Sequence, residues 1–271
     1  MTEIINYIQN QEDFKNLESN RLIGTPPVMM SSCITFKGKN NLLVCQDGVE
    51  LEYTSLYFGG DNSIIYLNKS HKPYQLSVFV YNDSNVYFGE KNFFASQLKI
   101  ICSETKNIFI GDSNLFSHNV TLRNADAHLI YDIKSKKRIN LSKSVFIGDH
   151  VWLGQSAFCL KNTKIHSGSI VGANSVVSKE LMSNSTYVGA PIKKIKSDTF
   201  WNWECVHEWT MEDTNNNLIC DNDDNIYNFS QDEYIDFDEI DFNLTSKSLD
   251  DRYDYLRKIT LNKSKNRFAK F

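Results

Sequence analysis

Residues 147–177 read IGDHVWLGQSAFCLKNTKIHSGSIVGANSVV, and every sixth position holds an aliphatic or sulfur-bearing side chain: Ile147, Leu153, Cys159, Ile165, Val171 and Val177. Four residues after each of the first five comes a small or β-branched one: Val151, Ala157, Thr163, Ser169 and Ser175. Just before these stand His150, Ser156, Asn162, Gly168 and Asn174, mostly residues that tolerate left-handed backbone. A period of six is neither the 3.6 of an α-helix nor the alternation of a plain strand. It implies short strands joined by regular corners, three to a coil, stacked into a prism. The fold class is therefore an all-β solenoid, a hexapeptide-repeat parallel β-helix.

Upstream, the apolar triplets LLV (42–44), IIY (64–66), VYF (86–88) and IFI (108–110) each begin 22 residues after the last. GKNN, GDNS, NDSN and ETKN precede them and supply Gly and Asn for corners. The β-helix is thus expected over 34–196. The next triplet, VFI (145–147), follows 37 residues after the one at 108, so residues 123–144 hold an excess that must leave the prism as a loop. Residues 1–33 are expected to cap the first coil, with a short helix from Thr2 to Leu17 and a leader strand, because an open coil end exposes unpaired strand edges. Residues 197–271 form a C-terminal segment, mostly helical or irregular. It is aromatic at Phe200, Trp201, Trp203 and Trp209, and Leu249, Tyr253, Leu256 and Ile259 follow helical spacing. That helix either packs on the outside of the prism or binds a partner.

The chain has 271 residues, 41% of them hydrophobic, enough for a large core. A net charge of -4 gives no basic field, which argues against nucleic acid. Charge is uneven: Ser197–Ser246 holds fourteen acidic residues and no Lys or Arg, whereas the last 25 residues carry eight basic and three acidic side chains. The tail is expected to fold back onto the acidic stretch. The start, MTEIINYIQNQEDF, lacks a basic segment followed by an apolar run, and no segment is long and apolar enough to span a membrane, so a cytoplasmic protein is expected. The six cysteines show no CxxC pair and read as mostly buried small hydrophobes. Asp221, Asp223, Asn225 and Asp232 have the spacing of a calcium loop, but Ile226 stands where the turn needs glycine.

Chemistry is sought where the repeat breaks. The excess loop carries Asn124, Asp126 and His128, followed by Tyr131 and Asp132. A histidine titrating near neutrality beside a carboxylate can take a proton from a hydroxyl. Trp152 lies between inward Val151 and Leu153, so its indole points out of the prism, where it needs a ligand, a subunit or a flanking segment. The other histidines sit at turn or outward positions and read as structural.

These residues resemble the left-handed β-helix acyltransferases that use acetyl-CoA, over most of 34–196. Residues 147–196 look like that family's last coils and closing segment. NADAHLIYD (124–132), followed by KKRIN and IGDHVW, is similar to the wording of the O-acetyltransferases of bacterial surface polysaccharides. The resemblance implies a left-handed parallel β-helix with His128 as general base, Asp126 and Asn124 beside it, and Trp152 lining the pocket for the acetyl group and pantetheine arm. In GANSVVSK, Ala173, with Gly172 before it, matches a residue whose backbone meets the pantetheine amides. Lys179 matches one that reaches the adenine end, and Lys193 and Lys196 stand where the family places cations for the CoA phosphates. Sugar-acetylating relatives carry an Asn where this chain has Ser96 after FFA, which with Tyr131 makes a weaker pair of acceptor-binding candidates.

The expected function is O-acetylation of a sugar hydroxyl of a bacterial surface polysaccharide, capsule or lipopolysaccharide, with acetyl-CoA as co-substrate and no metal. Relatives are trimers with each site between two prisms, so a homotrimer is implied. Two other readings stay open. One is N-acetylation of a nucleotide-linked amino sugar, and the other a non-catalytic β-helical scaffold or glycan-binding module. A zinc hydratase of the same fold needs three histidines around one metal, and the six here are widely spaced.

Overall fold

The computed structural model describes residues 6–245 and 247–271. The chain winds as a β-solenoid of about 7 turns. Its walls are three sheets built mainly from parallel strands. The first sheet runs from Cys33–Phe36 through Ser55–Phe58, Leu76–Val80, Leu98–Cys102, Thr121–Arg123 and Phe158–Cys159 to Val176–Val177. The second runs from Arg21–Gly24 through Leu42–Cys45, Ile64–Leu67, Asn85–Phe88, Asn107–Ile110, Val145–Ile147 and Lys164–Ile165 to Glu180–Leu181. The third holds Phe93–Phe94, Leu115–Phe116, Trp152–Leu153, Ile170–Val171 and Ser185–Val188, and is closed by antiparallel Lys193–Ser197.

All six residues of the sixfold series are fully buried in one core. The five small or β-branched companions are buried too. The corner residues His150, Ser156, Asn162, Gly168 and Asn174 all have positive φ, between 53° and 75°. Each left-handed residue turns the chain through a corner and returns it to the next sheet.

The upstream coils follow the 22-residue repeat with one slip. Leu42 pairs with Ile64 and Val86 with Ile108, but Ile64 pairs with Asn85 rather than Val86. The corner between first and second sheets shortens there, from residues 59–63 to residues 81–84. A one-residue shift exchanges faces. Hence Ile64 and Tyr66 point outward, whereas Val86 and Phe88 point into the core. Further on, Ile108 pairs with Val145, which throws residues 124–144 out as the loop expected from the spacing.

The second sheet is buried on both faces, as its strands LLVC, IIYL and NIFI suggest. Its outer face, with Val44, Tyr66, Tyr87, Phe109 and Phe146, packs under two C-terminal helices, α1 (Phe237–Leu244) and α2 (Leu249–Leu261). The C-terminal helix therefore packs on the prism, one of the two roles left open for it. Arg267 seals the contact. Its guanidinium, 1% exposed, makes a two-pronged pair with Asp149 at 2.8 and 2.9 Å and reaches Asp112 at 2.9 Å.

At the amino end, Asn6–Ile8 is a strand antiparallel to Cys33–Phe36, and Gln11–Asn16 is a 3₁₀ turn capped by Asn10. This differs from the helix expected over Thr2–Leu17, whose first four residues lie outside the described ones. Covering the open ladder and burying Ile8 favours strand over the weak helical preference of NYIQN. The first ladder strand, Arg21–Gly24, also precedes residue 34. Among the described residues no helix is long and apolar enough to cross a membrane.

Candidate active site

The loop leaves the first sheet after Arg123 and re-enters the second at Val145. Asn124 anchors its exit. The side chain is buried, accepts from Ser103 N at 2.9 Å and donates to Ser103 O at 2.9 Å, so its amide is committed to the coil below. Asn140 organises the interior of the loop. It accepts from Ile130 N at 3.0 Å and Arg138 Nε at 3.1 Å, and donates to His128 O at 2.7 Å and Asp126 Oδ2 at 3.1 Å. A short antiparallel ladder, with Ile139 N donating to Ile130 O at 2.9 Å and a bridge between Tyr131 and Arg138, stiffens the loop's base. Arg138 is clamped in turn by both oxygens of Glu104, and the Arg138 and Ser142 contacts pull the Glu104 pKa down to about 2.

The expected Asp126–His128 couple takes another form. Asp126 pairs with Lys161 Nζ at 2.6 Å, and this contact, with Asn140, holds its carboxyl below the ordinary value. It does not touch the imidazole. His128 is exposed, and among the described residues its ring has no hydrogen-bond partner; the chain holds it by its carbonyl. The ring is thus presented, backbone fixed, to whatever lies beyond the surface. Leu129, Ile130, Tyr131, Ile133, Ile139 and Leu141 are exposed around it. On the prism side, a groove of about 490 Å³ is lined by Tyr81, Ile101, Glu104, Arg123 and Asp126.

Trp152 stands on the third sheet, away from that corner. It is 38% exposed, and its Nε1 donates to Ser117 Oγ at 3.2 Å. Residues 199–205 run alongside, and Trp201 lies 6.1 Å from the Trp152 ring without covering it. Trp201 is itself locked: it stacks on His150 at 3.9 Å with planes 3° apart, and Trp201 Nε1 donates to His150 O at 2.9 Å. Burial holds the His150 pKa below its ordinary value. Below Trp152 the same sheet carries Ile170, with half-buried Gly172 and exposed Ala173 following, while Gly154 is pressed against the Ala173 backbone where a Cβ would clash. Lys179, Lys193 and Lys196 are exposed at the same end of the prism, and among the described residues their ammonium groups are unpaired.

Within one chain, then, the structure groups His128 with Asp126 and Asn124, and Trp152 with Gly172 and Ala173, but leaves the two groups on different faces. Tyr131 is exposed on the loop, and Ser96 Oγ accepts from Asn119 N at 3.2 Å at the third-sheet corner. Asn140, Lys161 and Arg138 are functional candidates that the sequence reading missed. Among the described residues no three His, Cys, Asp or Glu side chains lie close enough to hold a metal ion.

The parallel prism fits the left-handed β-helix of acyltransferases, and the chain is homologous with O-acetyltransferases of that fold. It is 34% identical over 85 residues to a polysialic acid O-acetyltransferase of Escherichia coli O1:K1, covering 31% of this chain and 28% of that one. It is 47% identical over 45 residues to the polysialic acid O-acetyltransferase of Neisseria meningitidis, covering 17% and 21%. These alignments span about a quarter of the curated relatives' length. The crystal structure of the polySia-specific acetyltransferase NeuO superposes with a TM-score of 0.63 at 28% identity, over 73% of this chain and 93% of that one. No family model matches the sequence.

Proposed function

We propose that this chain transfers an acetyl group from acetyl-CoA to a hydroxyl of a bacterial surface polysaccharide, capsule or lipopolysaccharide, in the cytoplasm. The observation that carries the reading is the presentation of His128: backbone pinned by Asn140, ring unpaired, on a loop thrown from a prism whose third face carries outward Trp152. The names of the homologous O-acetyltransferases supply the acyl-transfer chemistry and the glycan acceptor.

His128 takes the proton of the acceptor hydroxyl as its oxygen attacks the thioester carbonyl; the C–S bond then breaks, and the thiolate leaves with that proton. Backbone N–H groups at the coil edge steady the oxyanion. Trp152 packs against the acetyl group and pantetheine arm, Gly172 and Ala173 offer backbone to its amides, and Lys179, Lys193 and Lys196 meet the nucleotide phosphates. Asp126, held ionised by Lys161, and Asn124, committed to the coil, serve the loop rather than the proton. The exposed apolar rim of the loop and the separate faces of His128 and Trp152 support a homotrimer with sites shared between neighbours.

The test is acetyl transfer by His128→Ala to a panel of capsule and lipopolysaccharide glycans. The expected outcome is a kcat lowered about 10²- to 10⁴-fold with assembly intact; full transfer would refute the assignment. Offering a nucleotide-linked amino sugar beside the polysaccharides separates O- from N-acetylation.

A further inference from the structure

Between Trp201 and Tyr227 the chain makes an arm with little cover of its own. From Asn202 to Asp224 every residue except Trp209 is exposed, and the two short helices in it, Val206–Glu208 and Met211–Asn216, bury no side chain. Its ends are nevertheless fixed. Trp201 is stacked on His150, the Trp203 ring lies along His71 at 6.1 Å, and at the far end Asn184 Nδ2 donates to Tyr227 O at 2.7 Å. Thr210 and Asp213 cap the second helix reciprocally. The arm is thus a preformed surface, on which Val206, Met211, Leu218 and Ile219 stand between 63% and 79% exposed. Apolar side chains so exposed and rimmed by charge mark a protein contact. The charge is of one sign: seven carboxylates lie between Glu204 and Asp224, with no Lys or Arg. Among the described residues none of the seven is ion-paired, because cations of the tail are spent elsewhere, Lys263 on Glu90 and Asp112 and Lys270 on Glu180.

The loop over 129–143 is the complement of this arm. Leu129, Ile130, Ile133 and Ile139 are exposed on it, and Lys134, Lys136, Lys137 and Lys143 stand among them against one acid, Asp132. Its tip is a formed turn, in which Asp132 Oδ1 accepts from Ser135 N and Ser135 Oγ, each at 2.7 Å. Lysines alone distinguish nothing in this chain. What singles out the loop is that apolar and basic side chains share one shaped tip, as apolar and acidic ones share the shaped arm. The two do not meet within one chain. The loop leaves the corner between the first and second sheets, whereas the arm starts at the His150 corner between the second and third, and the helices α1 and α2 cover the sheet between them. A second copy supplies the loop that the arm lacks. The arm begins with Trp201 6.1 Å from Trp152, on the face where a shared site needs a neighbour's histidine.

We infer that the arm over 202–224 is the receptor for the 129–143 loop of a second copy of this chain, its apolar side chains meeting the apolar tip and its carboxylates the lysines. The inference rests on the shared-site reading for its purpose, since the arm would guide the neighbour's His128 to the Trp152 face, but not for its binding chemistry. Its test therefore measures assembly. Lys134→Glu, Lys136→Glu and Lys137→Glu together should raise the concentration of half-assembly of the full chain, read by light scattering, about 10-fold. Glu204→Lys, Glu208→Lys and Asp221→Lys together should do the same, and both penalties should grow as salt is lowered. A chain carrying all six substitutions should assemble as the wild type does, because its tip and arm are again opposite in charge; that recovery also shows that the substituted surfaces fold. Assembly unmoved by either set of three, or losses that add in the chain carrying all six, would overturn the arm as receptor. Recovered assembly in a chain whose wild type transfers no acetyl group would support the receptor while refuting the catalytic reading. Acetyl transfer by an oligomer indifferent to both sets would do the reverse.

Discussion

His128 owes its position to one amide. Asn140, on the returning strand, donates to the His128 carbonyl at 2.7 Å and to Asp126 at 3.1 Å while accepting from Ile130 N on the outgoing strand and from Arg138 Nε on its own, so its removal frees both sides of the loop at once. Asn140→Ala is expected to lower kcat/KM for acetyl transfer about 10- to 100-fold through misplacement of the ring, with the acetyl-CoA dissociation constant little changed. Steady-state kinetics beside CoA titration check it, and equal losses in both would place the effect elsewhere. His150 has the opposite task, because it works as a buried neutral ring against Trp201. Burial holds its pKa, and that of His166, below the ordinary value, so as pH falls through about 6.5 the unfolded chain takes up protons first. The stability these rings contribute is complete above that pH and is lost as pH falls toward their folded values. The melting temperature should therefore drop between pH 7.5 and 5.5 together with the Trp201 fluorescence transition. A flat profile would mean that both rings accept the proton in place.

At the scale of elements, the hexads were legible because each inward residue, companion and corner repeats within six positions, and local chemistry alone sets a corner. The register of the second sheet was not. Its strands are apolar on both faces, so a triplet such as VYF matches IIY in type while sitting one residue out of step, and only the shortened corner at 81–84 decides which face is inside. Read the other way, those doubly apolar strands already announced a cover. His128 and Trp152 could be found from the interruption and from strand parity, whereas Asn140 and Lys161, 14 and 35 residues from Asp126, carry no local signal. The cover depends on Arg267, whose charge lies buried between Asp149 and Asp112. Arg267→Ala is expected to destabilise the fold by about 3–5 kcal/mol, since it leaves Asp149 buried and unpaired. Chemical denaturation measures this, and adding Asp149→Asn should recover part of the loss; a deficit that stays undiminished would assign the role to packing on Phe268 instead.

For the whole molecule, the decisive fact is that one prism carries the two halves of the proposed site on different faces. The loop with His128 leaves the corner between the first and second sheets, and Trp152 stands on the third, while the helices close the second sheet's outer face. In the proposed homotrimer each chain lends its loop to a neighbour's third sheet, and a closed ring of three would satisfy every face with one repeated contact. Complementation follows from this geometry. His128→Ala and Trp152→Ala homo-oligomers should each be nearly inactive. When the two are unfolded together and refolded in equal amounts, a shared site is intact wherever a chain with its histidine meets a neighbour with its tryptophan, which chance assembly gives in about a quarter of sites. Recovery of roughly that share of wild-type turnover, with the oligomer confirmed by light scattering, is the expected outcome. If instead each site were built within one chain, every mixed assembly would still hold only damaged sites, and no activity would return at any mixing ratio.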